Sequence, residues 1–338
     1  MSDKVLVTGI SGWIAQHCAV ELIKKGYVVK GSIRHKDREA EVRTVLEPFL
    51  ASPDQLSFCY LDLLDDSGWD EAMQDCKYVL HVASPFVMEE PVSADELILP
   101  AKEGTLRALR SAQKAGVKRV VVTSSIVAMC AHMDKGEINS ESWTNLESAK
   151  PNAYQRSKTI AEQAAWEFYH NQEGEHKIEL SVINPGAVLG PALSPDLAGA
   201  SLGFCAAMLS GKMPGIPNIS FAMVDVRDVA FHHVQAMMIP EADGKRFISA
   251  GHHPESFLTV AKLLNDNGYS QVTLKKVPNF MIKTMALFNR EARGMKGFLD
   301  TYITCDNSQT RHMFNWTPIE LKKTVLDMGE TVQSFLNH

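Results

Sequence analysis

The first 185 residues alternate short β-branched runs with stretches of helical periodicity, and that alternation leaves few folds open. Residues 4–8, 27–34, 56–61, 78–82, 118–123 and 178–183 read as strands. After the first of them Ile14, Cys18 and Leu22 recur every fourth position and stop before Gly26, the spacing of one helix face. Further helical stretches fall at 37–50, 67–75, 95–115 and 153–172. Strands this uniformly apolar need cover on both faces, so they predict a parallel sheet between two helical layers. Right-handed crossovers then favour a doubly wound α/β arrangement.

The first strand runs into Thr8-Gly9-Ile10-Ser11-Gly12-Trp13-Ile14-Ala15. Gly9 can take a tight turn, Gly12 admits a close ligand, and Ala15 keeps the helix near the strand. The helix N-terminus then offers free N–H groups and the positive end of its dipole to a pyrophosphate. This is a Rossmann dinucleotide site, spaced Gly-x-x-Gly-x-x-Ala, with Thr8, Gly9, Ser11, Gly12, Trp13 and Ile14 as candidate contacts. Arg34 ends the second strand, where an acid would accept from a ribose hydroxyl. An arginine fork suits a 2′-phosphate instead, so NADPH/NADP+ is the expected cofactor, with Ser32, Lys36 and Arg38 assisting. Asp62 and Leu63 follow the third strand and are placed by the adenine. Val82, Ala83 and Ser84 follow the fourth, and Thr123 ends the fifth, all at the carboxyl edge where open sheets bind ligands.

Tyr154 and Lys158 open the helix predicted at 153–172, and four-residue spacing places both on one face. Ser125 follows the fifth strand on the same edge of the sheet as the glycine turn. Reduction of a carbonyl needs a hydride donor, a proton donor and polarisation of the oxygen. A free phenol, with a pKa near ~10, is a sluggish acid at neutral pH. A neighbouring ammonium is expected to draw it down, making Tyr154 the general acid and Lys158 its tuner and a donor to the nicotinamide ribose. Ser125 would hydrogen-bond the oxygen as it gains charge.

Past Asn184-Pro185-Gly186 the pattern changes. Residues 191–222 hold prolines, glycines and methionines, so loops and short helices are expected; 229–238, 256–264 and 321–335 read as helices, 246–249 and 272–274 as strands. The expected division is an NADP-binding Rossmann domain over 1–185 and a mainly substrate-binding region over 186–338, some of whose segments return to the sheet. Phe86, Ile126, Phe204, Met208 and Phe221 are candidates for an apolar substrate wall with Ser84, Ser125 and Tyr154, and Met208, Met213 and Met223 for an adaptable surface. A net charge of −6 argues against nucleic-acid binding. Six scattered cysteines without a Cys-x-x-Cys read as reduced thiols. With no leader pattern and no membrane-length apolar run, a cytoplasmic protein is expected, and composition fixes no oligomeric state. His232-His233 and His252-His253 lack a shared face or a carboxylate–histidine pattern, so no metal is expected.

These motifs together resemble the extended short-chain dehydrogenases/reductases, in the group of dihydroflavonol 4-reductases, cinnamoyl-CoA reductases and related aldehyde and ketone reductases. The likeness rests on the glycine turn, Ser32-Ile33-Arg34, His81-Val82-Ala83-Ser84-Pro85-Phe86, Val122-Thr123-Ser124-Ser125, Tyr154-Gln155-Arg156-Ser157-Lys158 and the run from Asn184 to Pro191. It implies that Ser125, rather than Ser124, joins Tyr154 and Lys158 in catalysis. It also implies that Arg34 binds the NADPH phosphate and that Pro185, Gly186, Ala187 and Val188 lie beside the nicotinamide. Met223 to Val229 resembles a later family stretch, with Arg227 in place of an acid. The function expected is reduction of a small-molecule aldehyde or ketone to an alcohol. Two readings compete with it: a sugar-nucleotide epimerase or dehydratase, which Arg34 and the lack of a basic cluster in 191–222 disfavour, and a non-catalytic NADP-binding redox sensor.

Overall fold

The structure, a computed structural model, describes residues 3–85 and 91–337. The chain opens with β1 (Lys4–Thr8), α1 (Trp13–Lys24), β2 (Val28–Ile33), α2 (Glu39–Leu46), β3 (Leu56–Tyr60), α3 (Trp69–Met73) and β4 (Cys76–His81). It continues through α4 (Asp95–Lys114), β5 (Arg119–Thr123), α5 (Val127–Cys130), β6 (Lys135–Ile138), α6 (Ala153–His170) and β7 (Glu179–Pro185). The next part holds β8 (Ala187–Leu189), α7 (Ala200–Leu209), β9 (Ile216–Pro217), β10 (Ser220–Asp225), α8 (Val226–Met238) and β11 (Lys245–Ser249). The remainder is β12 (Pro254–Ser256), α9 (Phe257–Asn265), β13 (Lys276–Val277), α10 (Asn279–Met285), α11 (Arg290–Lys296), β14 (Tyr302–Cys305), α12 (Ser308–Met313) and α13 (Leu321–Leu336).

Among the described residues seven parallel strands form the central sheet, in the order β3-β2-β1-β4-β5-β7-β11. This is the doubly wound Rossmann order. Alternation along each strand sorts the core into two layers. Val5 and Val7 pack with residues of α1 and α8 on one face, and Leu6 packs with residues of α3, α4 and α6 on the other. The order reverses at β1, which lies between β2 and β4, so the crevice for a ligand opens at the carboxyl ends of β1 and β4.

The later segments do two things. Val226–Met238 and Lys245–Ser249 return to the sheet as α8 and β11, the latter pairing with β7. The rest forms small sheets, β8-β10-β12 and β9-β13, beside a third core built from α7, α9 and α13, while β14 pairs with β6 over a separate cluster that holds Ile138 and Cys305. A strand expected at 272–274 is not formed; pairing occurs instead at Lys276–Val277, against β9, while Val272 is buried in the core. Asp225 caps α8 and pairs with Arg227, which reaches Asp327 of α13 at 2.6 Å and so ties that core to the sheet. Among the described residues no helix is long and apolar enough to cross a membrane, and all six cysteines are thiols.

Candidate active site

The turn after β1 is set by its glycines and its neighbours. Gly9 adopts φ +66°, and a Cβ there would meet that of Ala83 at 3.0 Å, so the turn closes against the chain leaving β4. The Gly9 N–H donates to Ser32 Oγ at 3.0 Å and that of Gly12 to the Gly9 carbonyl at 2.8 Å. Ser32 is thereby buried in support of the turn. Thr8 is also buried; its hydroxyl meets His81 Nδ1 at 3.0 Å and accepts from the Ala83 N–H at 3.0 Å, which joins β1 to β4 below the crevice. The N-terminus of α1 carries no side-chain cap, leaving its first-turn N–H groups for a ligand. Ser11 is half-buried at this turn, and its carbonyl accepts from Gln16.

Around the expected adenosine end, Arg34 is an exposed cation 3.7 Å from Asp62, on the adjacent strand ends of β2 and β3. Lys36 is exposed nearby. Arg38, expected to assist, is committed to Glu41 and Asp196, both at 2.8 Å, so its fork is already filled. Leu63 packs onto Gly104 of α4. Val82 packs against the sheet core and Ser84 is half-buried at the end of β4.

The catalytic candidates meet at the other end of the crevice. A capping box starts α6: Asn152 Oδ1 accepts from the Gln155 N–H, and Gln155 Oε1 accepts from the Asn152 N–H, both at 2.9 Å. It fixes the first turn, from which the Tyr154 hydroxyl is hydrogen-bonded to the Ser125 side chain. Lys158, one turn later, is buried and its ammonium points at the Thr123 carbonyl, 3.4 Å away. The Thr123 hydroxyl is held by His233 Nε2 at 2.6 Å.

The electrostatics depart from expectation. Desolvation pushes the Tyr154 phenol up to about 12, opposed by its hydrogen bond to Ser125; Lys158 is not among the groups that move it. Burial instead brings Lys158 down to about 8, against the pull of Glu162. The expected lowering of the phenol by the lysine is therefore not met in the protein alone.

Ser125 and Tyr154 lie in the wall of a cavity of about 380 Å³. Trp13 and Ile14 enter from α1, and the Trp13 indole N–H donates to the Pro191 carbonyl at 2.8 Å. Gly186, Ala187 and Val188 form the floor; a Cβ on Gly186 would lie 2.0 Å from the Ala222 carbonyl oxygen, so only glycine fits. Pro185, just before them, accepts from the Ile126 N–H at 2.9 Å. Ile126, Phe204 and Phe221 line the cavity. Met208 does not: α7 offers its first turns to the cavity, and Met208, a turn past Phe204, is 2% exposed in the core with α9 and α13. Met223 is core as well, and Met213 packs against it, so the adaptable methionine surface is absent. Phe86 lies outside the described residues.

Sequence reasoning missed Phe257, Met295 and Phe298, which complete the wall, with the Phe257 ring tilted 4.5 Å from that of Phe204 and Phe298 edge-on 5.1 Å from Phe221. No local pattern marks them, since they come from segments more than a hundred residues past Tyr154. It also missed Asn152, which both caps α6 and lines the cavity, although Asn-x-x-Gln before an apolar run is a readable cap. His232 and His233 serve as buried hydrogen-bond partners, His232 to Ser249 Oγ at 2.8 Å.

The sequence profile of the NAD dependent epimerase/dehydratase family matches residues 5–251. The chain belongs to that family. Within it, cinnamoyl-CoA reductase 1 of Arabidopsis thaliana is 38% identical over 266 residues, 77% of this chain and 74% of its own. The NADPH-dependent methylglyoxal reductase GRE2 of Saccharomyces cerevisiae is 34% identical over 265 residues, 72% of this chain and 77% of its own. The crystal structure of yeast methylglyoxal/isovaleraldehyde reductase Gre2 complexed with NADPH superposes with a TM-score of 0.82, at 27% identity and 99% coverage of both chains. These relatives are of the reductase group to which the motifs of this family member pointed.

Proposed function

We propose that the chain is an NADPH-dependent carbonyl reductase that converts an aldehyde or ketone to the alcohol, with Tyr154 as general acid. One observation carries this reading: two hydroxyls, of Ser125 and Tyr154, are hydrogen-bonded to each other in a largely apolar cavity that adjoins an uncapped helix N-terminus. The residues present fit the cofactor. The turn from Gly9 to Ile14 would hold its pyrophosphate, Arg34 with Lys36 its 2′-phosphate, and Lys158 with the segment from Pro185 to Val188 its nicotinamide end. NADPH, when bound, supplies the hydride.

The chain's own residues do the rest. The Tyr154 O–H donates its proton to the substrate oxygen, and its high pKa keeps it a phenol across the neutral range. Ser125 donates a hydrogen bond to the same oxygen as charge develops there. The Lys158 ammonium faces the phenolate that proton transfer leaves, on the same helix face. The apolar wall excludes water. In this reading residues 1–185 hold the cofactor, and 186–338 mainly close over the substrate.

The relative GRE2 is an NADPH-dependent methylglyoxal reductase, and the yeast Gre2 structure is a complex with NADPH. The family name also covers epimerases, but among the described residues the cavity wall carries no charged side chain to pair with a sugar-nucleotide diphosphate. The test is NADPH absorbance followed over aldehydes, α-dicarbonyls, ketoesters and dihydroflavonols. Oxidation with apolar aldehydes or ketones is expected. No oxidation with any of them, by folded protein that binds NADPH, overturns the reading.

A further inference from the structure

Glu162 lies one helical turn beyond Lys158 and is 1% exposed, yet it has no part in the cavity wall. A carboxylate buried to this degree persists only when its oxygens are satisfied. Here they are satisfied by four donors from four segments. Ser124 Oγ and Asn184 Nδ2 donate to Oε2 at 2.5 and 2.7 Å. Arg246 Nε and the Trp166 indole donate to Oε1 at 2.5 and 3.3 Å. Ser124 adjoins Ser125, and Asn184 adjoins Pro185 at the cavity floor; Asn184 Nδ2 also donates to the Ser125 carbonyl at 3.2 Å. Arg246 is anchored in turn by the carbonyls of Ser140 and Ser142 and by the Trp143 ring, 3.8 Å below its guanidinium.

We propose that Glu162 is a positioning residue for the reaction: its carboxylate fastens the ends of β5 and β7 to α6 and sets a fixed negative charge one turn behind Lys158. The proposal rests on the reading of Tyr154 and Lys158 given above. It explains why two adjacent serines part company, since Ser124 is spent on Glu162 and Ser125 faces the cavity.

The charges around Lys158 make the second role necessary. On its own helix Tyr154 and Glu162 share its face, one turn to either side. From β4 comes His81, held neutral by burial and pushed further down by Lys158 itself. From β5 comes the Thr123 carbonyl, backed by neutral His233 of α8, and from β11 Arg246 stands behind Glu162. Glu162 is thus the group that opposes the desolvation of the ammonium. Without it the desolvation of Lys158 goes unopposed, and the cation offered to the phenolate is weakened.

The test needs a readout that does not depend on turnover. In chain labelled with [13C]lysine, the Lys158 resonance is assigned by its loss in Lys158→Arg and titrated. In Glu162→Gln the titration midpoint is expected to fall by about one pH unit or more. In Arg246→Gln, which leaves Glu162 unbalanced, it is expected to rise. The alkaline limb of kcat should move the same way in each, whereas a merely structural part would cost activity and leave the midpoint in place. Unmoved midpoints in folded variants overturn the proposal. Should neither fold, Ser124→Ala decides: kcat about tenfold lower with the KM for NADPH unchanged supports it, and wild-type kcat refutes it. A wild-type chain that oxidises no NADPH refutes the reductase reading instead, while the lysine titrations still judge Glu162.

Discussion

A phenol gives up its proton reluctantly at neutral pH, and the cavity wall makes Tyr154 more reluctant still, at about 12. For the proposed reduction that is an asset, because a general acid must arrive protonated and release its proton only as the substrate oxygen becomes basic. Tyr154→Phe keeps the ring in the wall and removes the proton, so kcat should fall by about 100-fold or more while NADPH still binds. Near-normal turnover would overturn the assignment. Arg34 lacks, among the described residues, the bidentate partners that occupy Arg38, and its exposed fork stands 3.7 Å from Asp62. Replacing it by alanine should raise the KM for NADPH by about tenfold or more and leave that for NADH nearly unchanged, a split that initial rates with both cofactors would show. At this scale the sequence named Ser125, Tyr154 and Lys158 from spacing and strand ends. It was silent on Glu162, although a carboxylate one turn past the lysine, on the buried face of the same helix, is a signal that can be read.

Elements place those residues. The predicted strands of the first half match the observed ones within about two residues, because near-continuous β-branched runs have few alternatives when both faces must be buried. Helix α6 delivers Tyr154 from its first turn, so its cap bears on chemistry as well as stability. Asn152→Ala removes the acceptor for the Gln155 N–H and should cost about 1 kcal/mol, seen as a shift of the urea midpoint at constant m. It should also lower kcat modestly by loosening the turn that aims the phenol. An unchanged midpoint would mean that the cap is idle. The short strand expected at 272–274 failed for a plain reason. Two or three β-branched residues form a strand only beside an available partner, and β9 meets the chain at Lys276–Val277.

At the scale of the whole molecule, burial sets a pH dependence. His17 and His233 are brought down to about 4 and His81 and His232 to about 3, by desolvation in every case. The unfolded chain protonates these imidazoles below about 6.5 while the native chain does not, so it binds more protons and gains on the fold as pH drops. Stability from these groups is complete above about 6.5 and is lost progressively down to about 3. Asp228, raised to about 6, works the other way between about 4 and 6, one group against four. Urea unfolding should therefore show stability falling from pH 6.5 to 4, and a flat profile would contradict the neutral burial of these histidines. The cavity is equally a property of the whole chain: α1, α6, the segment after β7, α7, α9 and the end of α11 each bring one wall. Period, turn chemistry and the four-residue step from tyrosine to lysine are local quantities. The chain alone therefore determined the parallel sheet, the glycine turn and the spacing that puts Tyr154 and Lys158 on one helix face. Which methionine is core, which carboxylate Ser124 serves, and which distant phenylalanines enclose the cavity depend on how helices far apart in sequence stack, and only the folded tertiary structure decided them.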